Sequence, residues 1–236
     1  MSKIVEDLKR ASSSSFSFNG EEKIITDGDI IENLDSSDDT KGFGFSKLHN
    51  SFSTNKRVYE FEEKIREHLK SLHSEESQGG VDGKIVSYYH KQSLLVKEFQ
   101  NLKTNLINLS KRKGYKSYLF TGSSKDEGTS ITVSNLGVLL SREYESKVCM
   151  IDMDTTHCSL TKYFGLESEI NLFDLIIGEV EVNKVIKATG VNNLYMIPSC
   201  VTKDATCEIL KLKELQYFFE ALKKNFDYIL VDGMPF

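Results

Sequence analysis

Two kinds of apolar pattern alternate along the second half of the chain. Short apolar runs, bounded by polar or turn-forming residues, predict strands over residues 116–121, 147–152, 194–198 and 228–232. Helical spacing of apolar residues predicts helices over residues 94–109, 129–144, 159–164, 171–177, 182–187 and 204–226. Strands that alternate with helices are typical of an α/β protein with a mostly parallel sheet and helices on both of its faces.

One more helix is predicted ahead of this region. Apolar residues recur there at steps of three and four and form a single stripe, made of Val58, Phe61, Ile65, Leu69 and Leu72. Charged residues occupy the opposite face, so the pattern predicts an amphipathic helix over residues 55–73. Two interpretations are open: the stripe packs onto the α/β domain, or it binds a second copy of the chain or a partner.

The first 53 residues are rich in serine and acidic residues and poor in apolar ones. Such a composition buries too little apolar surface to offset the entropy lost when the chain becomes ordered. We therefore predict three parts: a largely disordered extension over residues 1–53, an amphipathic helix and linker over residues 54–83, and an α/β domain over residues 84–236.

Charge and hydropathy exclude several classes of protein. The formal net charge of -5 and the pI of about 5.6 argue against nucleic acid as a partner. No apolar run is long enough for direct membrane insertion, and the first residues lack the apolar region of a secretory signal. We expect a cytoplasmic protein that is peripheral to a membrane only through a partner. The four cysteines form no C-x-x-C pair, and we expect them to be reduced.

The first candidate for chemistry is the loop after the first predicted strand. Backbone N–H groups of a Gly- and Ser-containing loop can surround phosphate oxygens at a helix N-terminus, where the helix dipole favours anions. The residues predicted to bind a nucleotide are Ser123, Ser124, Lys125, Asp126, Glu127, Gly128, Thr129, Ser130 and Ile131. The Ser130 hydroxyl is also predicted to ligate Mg²⁺.

Carboxylates follow two further strands. Asp152 and Asp154 lie two residues apart, so an extended chain points both side chains the same way. They are catalytic candidates, because such a pair can hold a metal through water or orient a nucleophile. Asp232 ends an apolar strand where a P-loop NTPase keeps its Mg²⁺-organising carboxylate. The predicted metal ligands are Ser130, Asp152 and Asp232, although each aspartate taken singly is equally typical of a helix cap or turn.

The order and spacing of these segments resemble the cytoplasmic kinase domain of bacterial tyrosine kinases. These are P-loop proteins of capsule and exopolysaccharide systems, related to the MinD/ParA ATPases. The family's loop reads roughly Thr-Ser-x-x-Pro-Gly-Glu-Gly-Lys-Ser, and Thr121, Glu127, Gly128 and Ser130 match it. The resemblance covers about residues 84–236.

Other motifs of the family match further along. Its second acidic motif, Asp-x-Asp-x-Arg followed by Pro-Ser-Leu and Phe-Gly-Leu, matches at Asp152, Asp154, Ser159, Leu160 and residues 164–166. Its third, an apolar run and then Asp-x-x-Pro, matches at Asp232 and Pro235. Residues 102–106 resemble the Leu-Arg-Thr-Asn-Leu helix through which the family assembles into rings.

The chain departs from the family in its charged positions. Thr129 stands where the family has the lysine that meets the β- and γ-phosphates, and Asp126 replaces a glycine and adds a negative charge. Thr156 and Cys158 replace an arginine and a proline. Lys125 either reaches into the site or is a solvated loop lysine. The family continues beyond the third motif with more strands and a tyrosine cluster, so we expect a domain that is incomplete at its C-terminus.

The resemblance implies ATP or ADP with Mg²⁺ as cofactors, a homo-oligomer, and a membrane polysaccharide co-polymerase or a similar activator as partner. Because Thr129 replaces the lysine, the sequence favours a pseudokinase. Such a protein would regulate exopolysaccharide or capsule biosynthesis through assembly, with weak or no ATP turnover. Three alternatives stay open: an active tyrosine autokinase with an atypical loop, a MinD/ParA-type positioning ATPase, and a binding module that works through the Ser-rich extension.

Overall fold

The computed structural model describes residues 44–72, 80–90, 92–144, 146–154, 157–166, 170–198 and 213–235, with only the backbone of residues 44–54. Most of the predicted disordered extension, residues 1–43, lies outside the described residues, as does Thr156.

A five-stranded sheet forms the centre of the fold. The strands are β1 (Ser117–Phe120), β2 (Val148–Asp152), β3 (Lys187–Ala188), β4 (Leu194–Ile197) and β5 (Tyr228–Asp232). Their spatial order is β1-β5-β2-β4-β3. All neighbours run parallel except β3 and β4, which are antiparallel. The predicted mostly parallel sheet is thus confirmed. The sequence did not predict β3, because a strand of two residues is too short to show an alternation of apolar and polar positions.

Helices connect and cover the strands. They are α1 (Gly44–Leu72), α2 (Val86–Tyr89), α3 (Leu94–Lys113), α4 (Thr129–Ser141), α5 (Ser159–Tyr163), α6 (Leu172–Ile176), α7 (Val182–Val185) and α8 (Lys213–Asn225). The predicted helices are all present with small shifts at their ends, and α8 is described only from Lys213. Local capping explains some of these ends. The Ser93 hydroxyl accepts from the Val96 N–H before α3, and Gly114, with a φ of 71°, ends that helix.

The sheet buries both of its faces. Successive strand residues point to opposite sides, so Cys149 and Ile151 join one core while Val148 and Met150 join the other. The first core lies under α1, α6, α7 and α8, and the second lies under α3, α4 and α5. This double burial explains why β2 and β5 read as continuous apolar runs that end in an aspartate.

Helix α1 packs onto the domain through its predicted apolar stripe. Its buried side chains are Val58, Ile65 and Leu69. The Phe61 ring packs edge-on against Phe218 of α8, with the ring centroids 5.4 Å apart. For residues 55–72 the interpretation of the stripe as a packing surface is therefore confirmed. The helix begins at Gly44 rather than at residue 55, so it is longer than predicted. Phe45, Leu48 and Phe52 continue the helical spacing there.

Candidate functional site

The sheet brings the candidate residues to one edge. Asp232 of β5 pairs with Phe120 of β1 on one side and with Asp152 of β2 on the other. The three strands are parallel, so their carboxyl ends meet there, together with the loop that follows β1.

A cleft of about 280 Å³ lies at this edge. The predicted site residues that line it are Ser124, Lys125, Asp126, Glu127, Gly128, Thr129, Ser130, Ile131, Asp154 and Asp232. Ser123 and Asp152 do not line it. The other lining residues are Lys84, His157, Ser159, Tyr163, Gly233 and Pro235. Of these, the sequence motifs had included only Ser159 and Pro235.

The loop keeps a left-handed backbone at two positions. Asp126 has a φ of 65° and Gly128 has a φ of 85°. Glycine adopts this conformation freely, whereas among other residues it is chiefly aspartate and asparagine that tolerate it. Asp126 thus adds a negative charge to the loop at a backbone conformation that a glycine would also adopt.

The Glu127 carboxylate folds back into the loop. Its Oε2 accepts from the Ser123 N–H at 2.9 Å, and its Oε1 accepts from the hydroxyls of Ser123 and Ser124 at 2.7 and 2.9 Å. These hydrogen bonds, led by the Ser123 side chain, lower the pKa of Glu127. A Cβ at Gly122 would lie 2.7 Å from Glu127 Oε2, so the glycine makes room for this carboxylate. Glu127 therefore already occupies the N–H group of Ser123, one of the residues predicted to bind a phosphate.

Asp232 is the buried carboxylate at the base of the cleft. Its side chain is 1% exposed, and its Oδ2 has no hydrogen-bond partner in the described part of the chain. Burial raises the pKa of Asp232 to about 7; the charges of Asp152 and Asp154 add to this rise, and the Ser130 side chain opposes it. An orphaned buried carboxylate oxygen beside a hydroxyl is a place where a cation would replace the missing partner.

Asp152 is held by protein groups instead. Its Oδ2 accepts from the Thr161 N–H at 2.9 Å and from the Thr161 hydroxyl at 2.7 Å, while Oδ1 accepts from the Asp154 N–H at 3.2 Å. Burial raises the pKa of Asp152, and the hydrogen bonds from Thr161 oppose that rise. This geometry gives Asp152 a structural task, the attachment of α5 to the end of β2. Its catalytic and metal-binding roles stay predictions.

Asp154, the second carboxylate of the pair, does face the cleft. Its Oδ1 accepts from the His157 N–H at 3.2 Å, and its Oδ2 lies 3.2 Å from His157 Nδ1. The sequence predicted that the two carboxylates point the same way, but only Asp154 lines the cleft, so that prediction is wrong for the pair. Asp152 is buried under α5, whereas Asp154 lines the cleft.

Lys84 was not predicted as a site residue. It belongs to residues 80–90, ahead of α3, and its Nζ lies 5.3 Å from the centroid of the Tyr163 ring. A single lysine far upstream of the loop carries no motif, so only the tertiary structure reveals its place.

The cysteines of the described part differ in state. Cys149 is free and buried in β2, and burial raises the pKa of its thiol. Cys158 forms a disulfide, so the expectation that all four cysteines are reduced is wrong at this position.

Comparison with known proteins supports the resemblance seen in the motifs. A family model described as the AAA domain matches residues 125–236. The chain is 25% identical over 150 residues to the putative tyrosine-protein kinase CapB of Staphylococcus aureus, a match that covers 63% of this chain and 65% of CapB. The chain is thus similar in sequence to several bacterial tyrosine kinases.

The tyrosine-kinase likeness extends to the fold. The kinase domain of Escherichia coli tyrosine kinase ETK superposes with a TM-score of 0.60 at 22% identity, over 64% of this chain and 59% of that domain. The chain is also similar to a protein that is not named as a kinase. It is 31% identical over 116 residues to the sporulation initiation inhibitor protein Soj of Bacillus subtilis, a match that covers 46% of this chain and 45% of Soj.

The chain spans less than two thirds of the length of the curated tyrosine-kinase relatives it matches. Within the described residues, no helix combines the length and the apolar character needed to cross a bilayer.

Proposed function

We propose that the chain is a degenerate tyrosine-kinase-like P-loop protein. It binds a Mg²⁺–nucleotide weakly in the cleft at the carboxyl edge of the sheet, with little or no ATP turnover. It acts by assembling with other copies and with a membrane polysaccharide co-polymerase or a similar activator, in capsule or exopolysaccharide biosynthesis. On this proposal it is cytoplasmic and reaches the membrane only through that partner.

The unpartnered Oδ2 of Asp232 carries the nucleotide part of this proposal. It lies at the base of a cleft whose rim is a phosphate-type loop, and it is almost fully buried. In the described residues, no three His, Cys, Asp or Glu side chains converge as a metal cluster. Mg²⁺ often binds through one or two carboxylates plus phosphate oxygens and water, and Asp232 with Ser130 fits that requirement. When bound, Mg²⁺ would neutralise charge on the phosphates.

Three features of the loop support the weak binding. Thr129 offers no cation to the phosphates, and Asp126 adds a negative charge. Glu127 competes for the Ser123 N–H group. A charge-assisted hydrogen bond contributes about 1.5–3 kcal/mol, so loss of the lysine alone would weaken binding by about tenfold or more.

A MinD/ParA-type positioning ATPase is the second candidate. The observation in its favour is the identity to Soj and to a cyanobacterial septum site-determining protein MinD, each 31%. Nucleotide-dependent dimers in solution would favour this class. Nucleotide-independent rings would favour the tyrosine-kinase class.

Calorimetric titration of Mg²⁺–ATP and Mg²⁺–ADP tests the proposal. The unaltered chain should bind weakly, and Thr129→Lys should bind at least about tenfold more tightly because it restores the phosphate-binding ammonium. If neither chain binds either nucleotide, the nucleotide function is rejected. ATP-dependent tyrosine phosphorylation by the pure unaltered protein, abolished by Asp154→Asn, would instead show an active kinase.

A further inference from the structure

Lys84 enters the cleft from outside the region that matches the AAA domain model. Its backbone is fixed by its neighbours. The Lys84 N–H donates to Asp82 Oδ1 at 2.7 Å, and the Asp82 N–H donates to the Tyr163 carbonyl oxygen at 2.8 Å. The next residue, Ile85, is fully buried. The lysine side chain therefore starts from a fixed point on the cleft wall.

The segment that carries Lys84 is also tied to α4, the helix that begins at the phosphate-type loop. The Ser87 N–H donates to Asn135 Oδ1 of α4 at 2.8 Å, and Arg142, just after α4, donates to the Ser87 carbonyl oxygen at 2.7 Å. The segment that carries Lys84 is thus hydrogen-bonded to the helix that carries Ser130. These bonds hold the lysine beside the loop.

The ammonium of Lys84 has an aromatic neighbour. It lies over the Tyr163 ring, a position that favours a cation. None of the ion pairs formed within the described residues involves Lys84. The cleft is lined by four carboxylates and by two lysines, Lys84 and Lys125. Lys125 belongs to the loop itself. It is followed directly by Asp126 and Glu127, whose negative charges offset its positive charge.

We propose that Lys84 is the phosphate-binding cation of this cleft, in place of the lysine that is absent at position 129. The ligand group is the β- or γ-phosphate of a nucleoside di- or triphosphate, so the proposal rests on the nucleotide function proposed above. An ammonium is a compact charge with three donors on a flexible stem, and it can meet a phosphate from the cleft wall as well as from the loop.

Titration with fluorescent Mg²⁺–ATP tests this assignment. Lys84→Met keeps an apolar stem over Tyr163 and removes the charge, and it should weaken binding by about tenfold or more. Lys84→Arg should keep most of the affinity. Lys184→Ala, which removes an exposed lysine of α7, is the matched control and should bind like the unaltered chain.

Two further measurements separate a phosphate contact from a structural role. Lys84→Met should leave the affinity for AMP unchanged, because AMP lacks the phosphates that Lys84 is proposed to contact. The double variant Thr129→Lys/Lys84→Met should regain the affinity that Lys84→Met alone has lost, because the loop then supplies the cation.

The outcomes distinguish this proposal from the nucleotide function. If the unaltered chain binds and Lys84→Met binds equally well, Lys84 is not the cation, and the nucleotide function stands. If Thr129→Lys binds and the unaltered chain does not, Lys84 is also rejected as the cation, because Lys84 then fails to replace the missing lysine. If neither the unaltered chain nor Thr129→Lys binds, both proposals are rejected.

Discussion

Asp126 is a charged residue in a backbone position suited to glycine, with a φ of 65°. We expect Asp126→Gly to tighten Mg²⁺–ATP binding by about fivefold, because it removes a like charge from the loop. The melting temperature should not fall, because glycine adopts this conformation without strain. Asp126→Ala is the control. It also removes the charge, but a residue with a Cβ at positive φ should destabilise the loop by about 1 kcal/mol. Equal binding by all three chains would contradict the expectation.

Asp232 makes the stability of the protein depend on pH. Its pKa is about 7 in the fold and 3.8 in an unfolded chain. Between these values the folded state holds a proton that the unfolded state releases, so the free energy of unfolding falls as pH rises from about 4 to 7 and then levels off. Each pKa unit corresponds to about 1.4 kcal/mol.

Asp232→Asn removes this titration. We expect the variant to melt several degrees above the unaltered chain at pH 8, with the difference shrinking towards pH 4. Added Mg²⁺ should stabilise the unaltered chain at pH 8 but not the variant. Thermal melts across this range measure both effects, with Glu98→Gln, an exposed residue of α3, as the control. A pH-independent difference would mean that the Asp232 carboxylate is not the source.

At the scale of elements, α1 is part of the core rather than an accessory. Ile65 is fully buried against the first core, so Ile65→Ala should lower the free energy of unfolding by about 2–5 kcal/mol. Leu95→Ala removes the same kind of side chain from a position of α3 that is 64% exposed, and it should change the stability by less than about 0.5 kcal/mol. Chemical denaturation measures both. Equal effects would argue against the packing of α1 described above.

Elements were predictable where their signal is local. The strand runs, the loop after β1 and Asp232 follow from residues close in sequence, and the structure places them together. Lys84 was not predictable, because its place beside the cleft depends on contacts between residues far apart in sequence, such as the hydrogen bond from Ser87 to Asn135 of α4. The Glu127 carboxylate can turn back into the loop because Gly122 has no side chain in its way. No sequence pattern signals such a steric requirement.

At the scale of the whole molecule, the charge of the cleft sets a requirement for metal. The cleft collects the carboxylates of Asp126, Glu127, Asp154 and Asp232 in a chain whose formal net charge is already -5. A free triphosphate would meet repulsion, so removal of Mg²⁺ with EDTA should weaken ATP binding by at least about tenfold. Titration in both conditions, at one ionic strength, measures this. Metal-independent binding would place the nucleotide elsewhere.

The left-handed turn at Asp126 has a further consequence in genetic terms. Any aspartate codon becomes a glycine codon by one base change, and two of the four threonine codons become lysine codons by one. The loop already holds the backbone conformation that a glycine at position 126 would adopt. At positions 126 and 129, therefore, the chain stands two amino-acid replacements from the tyrosine-kinase pattern, and the first of them requires no change of backbone. Single base changes can therefore give both residues, and the glycine at position 126 would need no change in the backbone of the loop.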